Sequence, residues 1–310
     1  MSLRDELNGY LRLPRNFFGI PRPKTGLPDV GILGVPYDIT SSYKPGSRFG
    51  PDAIRAATDG ERAHSFPLNS SSSPVLGGDS LTKVLTIEDI GDLEVMGRLP
   101  ESALNDIYNA AAKLAPKGTF LLFLGGDHFI TYPLMKGVKK GRPGKYGLLY
   151  FDAHADFYKD YGGYSLSHAT TLRRIIEEEH VRREDVIVVD GRSALPEQRE
   201  QLAVYESSDI DQFRKAIDEL TERVDVIYIS VDLDVLSPHL VPGVSHPESG
   251  GPTALELASL LRICFQSRKV QYADIVELNP LADKSQVSLI TVRDVLKELL
   301  TGFAVQKDLK

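Results

Sequence analysis

The chain has 310 residues, 42% hydrophobic and 25% charged, a formal net charge of −7 and a single cysteine, Cys264. That composition fits a globular protein with room for a large core, and one cysteine excludes an intrachain disulfide. The acidic balance without a long basic block argues against a nucleic-acid partner. No apolar run approaches the ~20 residues of a membrane span, and no signal core opens the chain, so a cytoplasmic protein is expected.

Residues 1–28 are polar with scattered Pro and Gly and read as an arm lying on a surface or on a neighbouring subunit. Residues 29–310 read as a single domain. Val30 to Val35 is an apolar strand, followed by a Ser- and Gly-rich loop to Gly50 and a helix begun by Pro51. Asn69 to Ser73 is a loop by composition. Val84–Ile87 and Leu93–Val95 are expected to be short strands. Helices are expected over 101–114, 129–140, 167–179, 208–223, 253–266 and 287–303. Strands are expected at 119–124, 146–151, 186–189, 226–231 and 272–278. Strands alternating with helices predict an α/β fold, a three-layer αβα sandwich around a parallel sheet. Ligands in such sheets bind at the carboxyl ends of the strands.

Three apolar strands each end in a polar cluster: Gly125-Gly-Asp-His128, Asp152-Ala-His-Ala-Asp156 and Ser230-Val-Asp-Leu-Asp234. In an extended segment, residues i, i+2 and i+4 share one face. Asp152, His154 and Asp156 can therefore point together, and Asp232 and Asp234 repeat the spacing. One Asp-x-Asp is ordinarily a solvated loop. Three clusters at three strand ends supply His128 and five more ligands, a cysteine-free set suited to hard or borderline divalent cations. Two such cations can share an activated water.

These motifs, together with Ala273-Asp-Ile-Val-Glu277-Leu-Asn-Pro, resemble those of the ureohydrolase superfamily, which includes arginase and agmatinase. Gly34-Val-Pro-Tyr-Asp and Lys44-Pro-Gly-Ser-Arg-Phe-Gly-Pro51 look most like the agmatinase branch. The resemblance runs from about residue 30 to the C-terminus and implies an arginase-like fold. It implies two Mn²⁺ per subunit, with Ni²⁺ or another divalent cation as alternatives. One would be held by His128, Asp152, Asp156 and Asp232, the other by Asp152, His154, Asp232 and Asp234. It further implies attack by a metal-bridging hydroxide oriented by Asp156, a guanidinium held by Glu277, and proton delivery by His168. The products would be urea and an amine. Tyr158 and Arg192-Ser193 look agmatinase-like, and Tyr158 is expected to contact substrate. A small guanidino or amidine substrate and a homo-trimer or homo-hexamer are implied as well.

The chain departs from the family at Ser237, at Ala169 after His168, and at His246, which stands where a small threonine is usual. His246 is expected to add bulk against the substrate. Pro242-Gly-Val-Ser245 leans toward a formiminoglutamase-like hydrolase releasing formamide. A third reading is a catalytically silent, metal-binding partner subunit, against which the retention of all six ligands argues.

Overall fold

The computed structural model describes residues 16–60, 63–68 and 76–307. Its frame is an eight-stranded sheet: β1 Val30–Val35, β2 Ile87–Asp92, β3 Phe120–Gly125, β4 Tyr146–Asp152, β5 Val186–Asp190, β6 Val204–Tyr205, β7 Val226–Asp232 and β8 Val270–Val276. The strands lie in the order β2-β1-β3-β8-β7-β4-β5-β6, and every pairing is parallel. The seven longer helices are α1 Gly50–Ala57, α2 Pro100–Leu114, α3 Thr131–Gly141, α4 Thr171–Glu177, α5 Ile210–Arg223, α6 Ala254–Gln266 and α7 Val287–Lys307.

Helices cover both faces. Alternate strand residues Ile32, Leu122, Leu124, Leu149 and Ile229 join the core under α1, α5, α6 and α7. Leu33, Leu121, Phe123, Leu148 and Tyr150 join the core under α2, α3 and α4. β3, β4, β7 and β8 are buried along their whole length. Double coverage is why these segments read as unbroken apolar runs rather than alternating ones.

Most expected elements appear within a residue or two of their predicted ends, as is usual for helix and strand termini. The two short strands do not. Val84 closes a helical turn, Leu81–Val84, and the strand that forms is β2, starting at Ile87. β2 is an edge strand with one neighbour and alternating burial, and its Glu, Asp and Gly residues hid it. Leu93 to Val95 is not a strand, and the two-residue edge strand β6 was unforeseen. The segment expected as one helix over 167–179 is a 3₁₀ turn, His168–Thr170, leading into α4.

Of the expected N-terminal arm, residues 1–15 lie outside the described residues, as does the serine loop. Residues 16–20 join the body: Phe17 and Phe18 are buried, and their amides donate to the Thr58 hydroxyl and carbonyl at 3.1 and 2.7 Å. Among the described residues no helix is long and apolar enough to cross a membrane.

Candidate active site

β3, β8, β7 and β4 are adjacent in the sheet, although β3 and β4 are consecutive in sequence. The β3-to-β4 connection leaves a gap that β8 and β7 fill, so four carboxyl ends open into one crevice. His128 follows β3, Glu277 follows β8, Asp232 and Asp234 end β7, and Asp152, His154 and Asp156 end β4.

The backbone at these ends is unusual. Gly126 passes so close to β1's continuation that a Cβ there would lie 1.7 Å from the Tyr37 carbonyl oxygen, which only glycine avoids. β4 stops at Asp152, and Asp156 has a φ of 46°. The three candidate ligands thus converge through a left-handed turn rather than along an extended strand, with Ala153 and Ala155 packed inside. Similarly, β7 ends at Asp232 and a 3₁₀ turn, Leu233–Val235, brings Asp234 round. Glu277 has a φ of 65°. Left-handed non-glycine residues cost roughly 1–3 kcal/mol each and concentrate at functional sites.

Six side chains converge. His128 Nδ1 lies 3.0, 3.3 and 3.1 Å from carboxylate oxygens of Asp152, Asp156 and Asp232. His154 Nδ1 lies 3.4 Å from Asp152 and 3.0 Å from Asp234. Asp152 touches both imidazoles, one oxygen to each. The remaining oxygens of Asp232 and Asp234 are tied down by the Asp234 and Ala153 amides at 2.8 and 3.1 Å.

The donor set fits two divalent cations. Ligands ~2.1 Å from an octahedral cation stand ~3.0 Å apart at right angles, the spacing found here. Asp152 Oδ2 is buried and accepts no hydrogen bond. His128, Asp152 and Asp156 form one possible cation site, and Asp152, His154 and Asp234 another. Four buried Asp beside two neutral imidazoles carry a formal charge that two divalent cations cancel.

Tautomers are set from behind. Asp274 is buried and accepts from Ser230 Oγ at 2.6 Å, Thr131 Oγ1 at 2.8 Å and Tyr228 OH at 2.7 Å. With its proton on Asp274, Ser230 Oγ accepts His128 Nε2–H at 2.9 Å, which leaves the Nδ1 lone pair for the cluster. Tyr150 stacks on the His128 ring and donates to Asp156 Oδ2 at 2.8 Å. Tyr150 and Asp274 were missed by sequence reading because both look like strand residues.

Burial and the charges of Asp234 and Asp156 push Asp152 up to about 6. Against its own burial, Asp234 is held at about 2 by the His154 imidazole. Burial disfavours the charged form of His128 and His154, but the facing carboxylates outweigh it and raise both. A site that holds protons this tightly without metal is one where a cation replaces protons. Both histidines bind protons more tightly folded than unfolded, so their stabilisation is present at low pH and lost as pH rises through the folded values. The melting temperature of metal-stripped protein is therefore expected to fall from pH 7 to 9 while the gain from added Mn²⁺ grows. A stripped protein whose stability is flat or rises across that window contradicts this reading.

Glu277 Oε1 accepts the His128 amide at 2.8 Å, while buried Oε2 accepts nothing. Burial first, and the nearby Asp127 charge second, raise its carboxyl well above the usual range. A cationic ligand would relieve both.

The crevice is lined by Glu277, His128, His154, Asp156, Asp232 and Asp234 at its floor. Its walls include Ser42, Tyr158, His168, Ser193 and His246, around a cavity of about 140 Å³. His246 stacks on His168 with ring centroids 5.3 Å apart, and Ser42 Oγ lies 3.0 and 3.3 Å from their Nε2 atoms. Burial and the neighbouring His168 and His154 hold His246 down at about 4, so it is neutral at pH 7. Burial likewise lowers His168. Tyr158 is on the wall, 38% exposed. Arg192 contributes differently: it donates to the carbonyls of Val235, Asp234, Glu248 and Ser249 at 3.0, 2.8, 2.9 and 2.8 Å. It clamps the loop after β7, and only its neighbour Ser193 faces the cavity.

Comparisons with known proteins give the family. The family model described as "Arginase family" matches residues 28–302. The chain belongs to the arginase family. Within it, the chain is 31% identical over 288 residues to an agmatinase of Bacillus subtilis (strain 168), covering 91% of this chain and 94% of that protein. It is 30% identical to a guanidinobutyrase of Pseudomonas aeruginosa, covering 88% of this chain and 85% of that protein. Among solved structures, the proclavaminate amidino hydrolase of Streptomyces clavuligerus superposes with a TM-score of 0.80 at 27% identity. That match covers 96% of this chain and 99% of the other. The family's three-layer α/β fold and an agmatinase-like sequence are thus established for this chain.

Proposed function

We propose that this arginase-family hydrolase cleaves a C–N bond at the amidino carbon of a small guanidino compound, releasing urea and an amine. The observation that carries this reading is Glu277, buried, with one oxygen unpartnered, lining the same crevice as His128, His154, Asp156, Asp232 and Asp234. A carboxylate held this way pairs with a planar cation through directional, charge-assisted hydrogen bonds.

His128, Asp152, Asp156 and Asp232 would hold one divalent cation, and Asp152, His154, Asp232 and Asp234 the other. Such a pair supplies Lewis acidity that makes water a nucleophile at neutral pH. Mn²⁺ suits the set, and Ni²⁺ is the alternative. The chain's own groups perform the rest. Asp156, fixed by Tyr150, accepts a hydrogen bond from the attacking water and orients it. Glu277 binds and orients the amidinium. The departing nitrogen must leave as an amine, and His168, on the cavity wall, takes up at Nε2 the proton that the attacking water gives up and passes it to that nitrogen. Water adds to carbon, the C–N bond breaks, and urea and a protonated amine result.

The lean toward a formiminoglutamase-like reaction rested on Pro242 to Ser245. Ser245 is fully buried and spends its hydroxyl on the Lys44 carbonyl at 2.9 Å, so its side chain does not reach the substrate. The turn at Ser237 is likewise kept by its carbonyl, which accepts the Leu240 and Val241 amides at 2.9 and 3.2 Å. Convergence of all six ligands supports the catalytic reading over a silent subunit.

The test is product analysis on Mn²⁺- and Ni²⁺-loaded protein offered agmatine, 4-guanidinobutyrate, arginine, guanidine and formiminoglutamate. Urea from one of the guanidino compounds is expected, and formamide as the product overturns the assignment. His246→Thr opens the wall beside His168. It is expected to raise kcat/KM for bulkier amidines about tenfold relative to the preferred substrate, a shift of ~1.4 kcal/mol in the range of pocket-size effects. An unchanged ranking would remove His246 from substrate selection.

A further inference from the structure

We propose that Thr40, backed by Asp127, is a positioning residue that fixes the ring of His168 with Nδ1 protonated and Nε2 turned to the substrate. The inference rests on the reading of His168 as the proton donor to the departing amine.

The geometry is a chain of hydrogen bonds with one consistent direction. Asp127 Oδ2 accepts both the Thr40 amide at 3.1 Å and the Thr40 hydroxyl at 2.7 Å. With its proton given to Asp127, Thr40 Oγ1 accepts the His168 amide at 3.1 Å. The Thr40 carbonyl, an acceptor only, takes the His168 ring at Nδ1 at 2.6 Å. The proton on that contact is therefore on Nδ1, and proton traffic is confined to Nε2. Thr40 thus holds both the main chain and the ring of His168 across 128 positions of sequence.

Asp127 is itself held in place, its amide donating to the Tyr37 carbonyl at 2.7 Å. Ser167 and Thr170 cap the 3₁₀ turn reciprocally, so the His168 main chain enters at a defined angle. The bond to the ring is what remains to be set, and Thr40 sets it. An imidazole free to rotate or change tautomer would present the proton at the wrong nitrogen for part of the time.

The loop carrying Thr40 does not depend on this contact for its fold. Asp38 accepts the Gly46 and Arg48 amides at 2.7 and 3.2 Å and pairs with the Arg48 guanidinium at 2.6 Å. Ser245 Oγ and Asn279 Nδ2 both donate to the Lys44 carbonyl at 2.9 Å. Thr40→Val removes the hydroxyl that joins Asp127 to His168 and keeps the side chain's size, and Thr40→Ser keeps the hydroxyl.

The experiment uses Mn²⁺-loaded full-length wild type, T40V and T40S, with H168N to assign the signal. NMR on samples loaded instead with diamagnetic Zn²⁺ reads solvent exchange of the His168 ring N–H, and steady-state kinetics are run on the Mn²⁺-loaded samples with the guanidino compound that gives urea. In T40V, Nδ1–H exchange is expected to quicken at least tenfold and kcat to fall about 30-fold. KM and bound metal should stay within twofold of wild type, and T40S should recover most of both losses. An unchanged Nδ1–H signal in T40V overturns the proposal. So does a fall in kcat accompanied by loss of metal, which would place the role in the fold or the metal site. If no compound is turned over by wild type, the amidino reading fails, and the NMR comparison still decides whether Thr40 fixes the ring.

Discussion

Glu277→Gln is expected to lower kcat/KM for the guanidino substrate about a thousandfold while metal content and melting temperature stay near those of wild type. Gln has the same size, and its carbonyl can still accept the His128 amide that Glu277 Oε1 accepts at 2.8 Å. What changes is the second position. A buried carboxylate oxygen with no partner becomes an amide NH₂, which repels an amidinium. Breaking a buried charge pair by neutralising one member costs about 3–5 kcal/mol, or roughly 10²–10³·⁵ in rate when the pair is made to the substrate. Steady-state kinetics with parallel metal analysis make the measurement. Equal turnover by the variant would mean that the substrate is not held as a cation at Glu277.

Asp152→Asn should abolish high-affinity binding at both cation sites, because Asp152 is the carboxylate that touches both imidazoles. A ligand at a thousandfold excess over its Kd stabilises by about 4 kcal/mol, which amounts to several degrees in a chain of this length. That metal-dependent gain in melting temperature is expected in wild type and absent in D152N, with activity reduced more than a thousandfold. The metal-free comparison runs the other way. Asp152 is pushed up to about 6 by burial and by the charges of Asp234 and Asp156, so it destabilises the stripped protein above that pH. The Asn side chain keeps an acceptor for the His154 amide that donates to Asp152 Oδ1 at 2.6 Å. Stripped D152N should therefore be at least as stable as stripped wild type at pH 8. Calorimetry with and without chelator distinguishes the outcomes, and a normal metal-dependent gain in D152N would show that Asp152 is not shared.

The alternation Asp152-x-His154-x-Asp156 was legible because ligand-type side chains interrupted an apolar strand, and the fold followed from the spacing of such strands. The means of convergence was not legible. An extended face was the expectation, but the strand ends at Asp152 and the left-handed φ of Asp156 aims its carboxylate. Nothing in one sequence shows that a residue will be held in that conformation by its surroundings. The residues behind the site share a second difficulty. Ser230 and Asp274 sit in strands where they look like interruptions of the core, and only pairing of β7 with β8 reveals that they form one hydrogen-bonded unit. Thr40 sits in a Ser- and Gly-rich loop with no pattern, and its partner His168 is 128 residues away. Arg192-Ser193 was legible only as an agmatinase-like pair; the structure shows the Arg192 guanidinium occupied by main-chain carbonyls of the loop after β7. The edge strands β2 and β6 were misplaced or missed for a different reason: with one neighbour each, they need few apolar residues.

The most direct test of the central claim is a metal titration of chelator-stripped protein, with bound metal and urea release measured on the same samples. Urea formation that rises with added Mn²⁺ and levels off at two cations per chain is the predicted result. Full activity with no bound metal, or two bound cations with no urea from any of the guanidino compounds, would contradict a dinuclear amidino hydrolase.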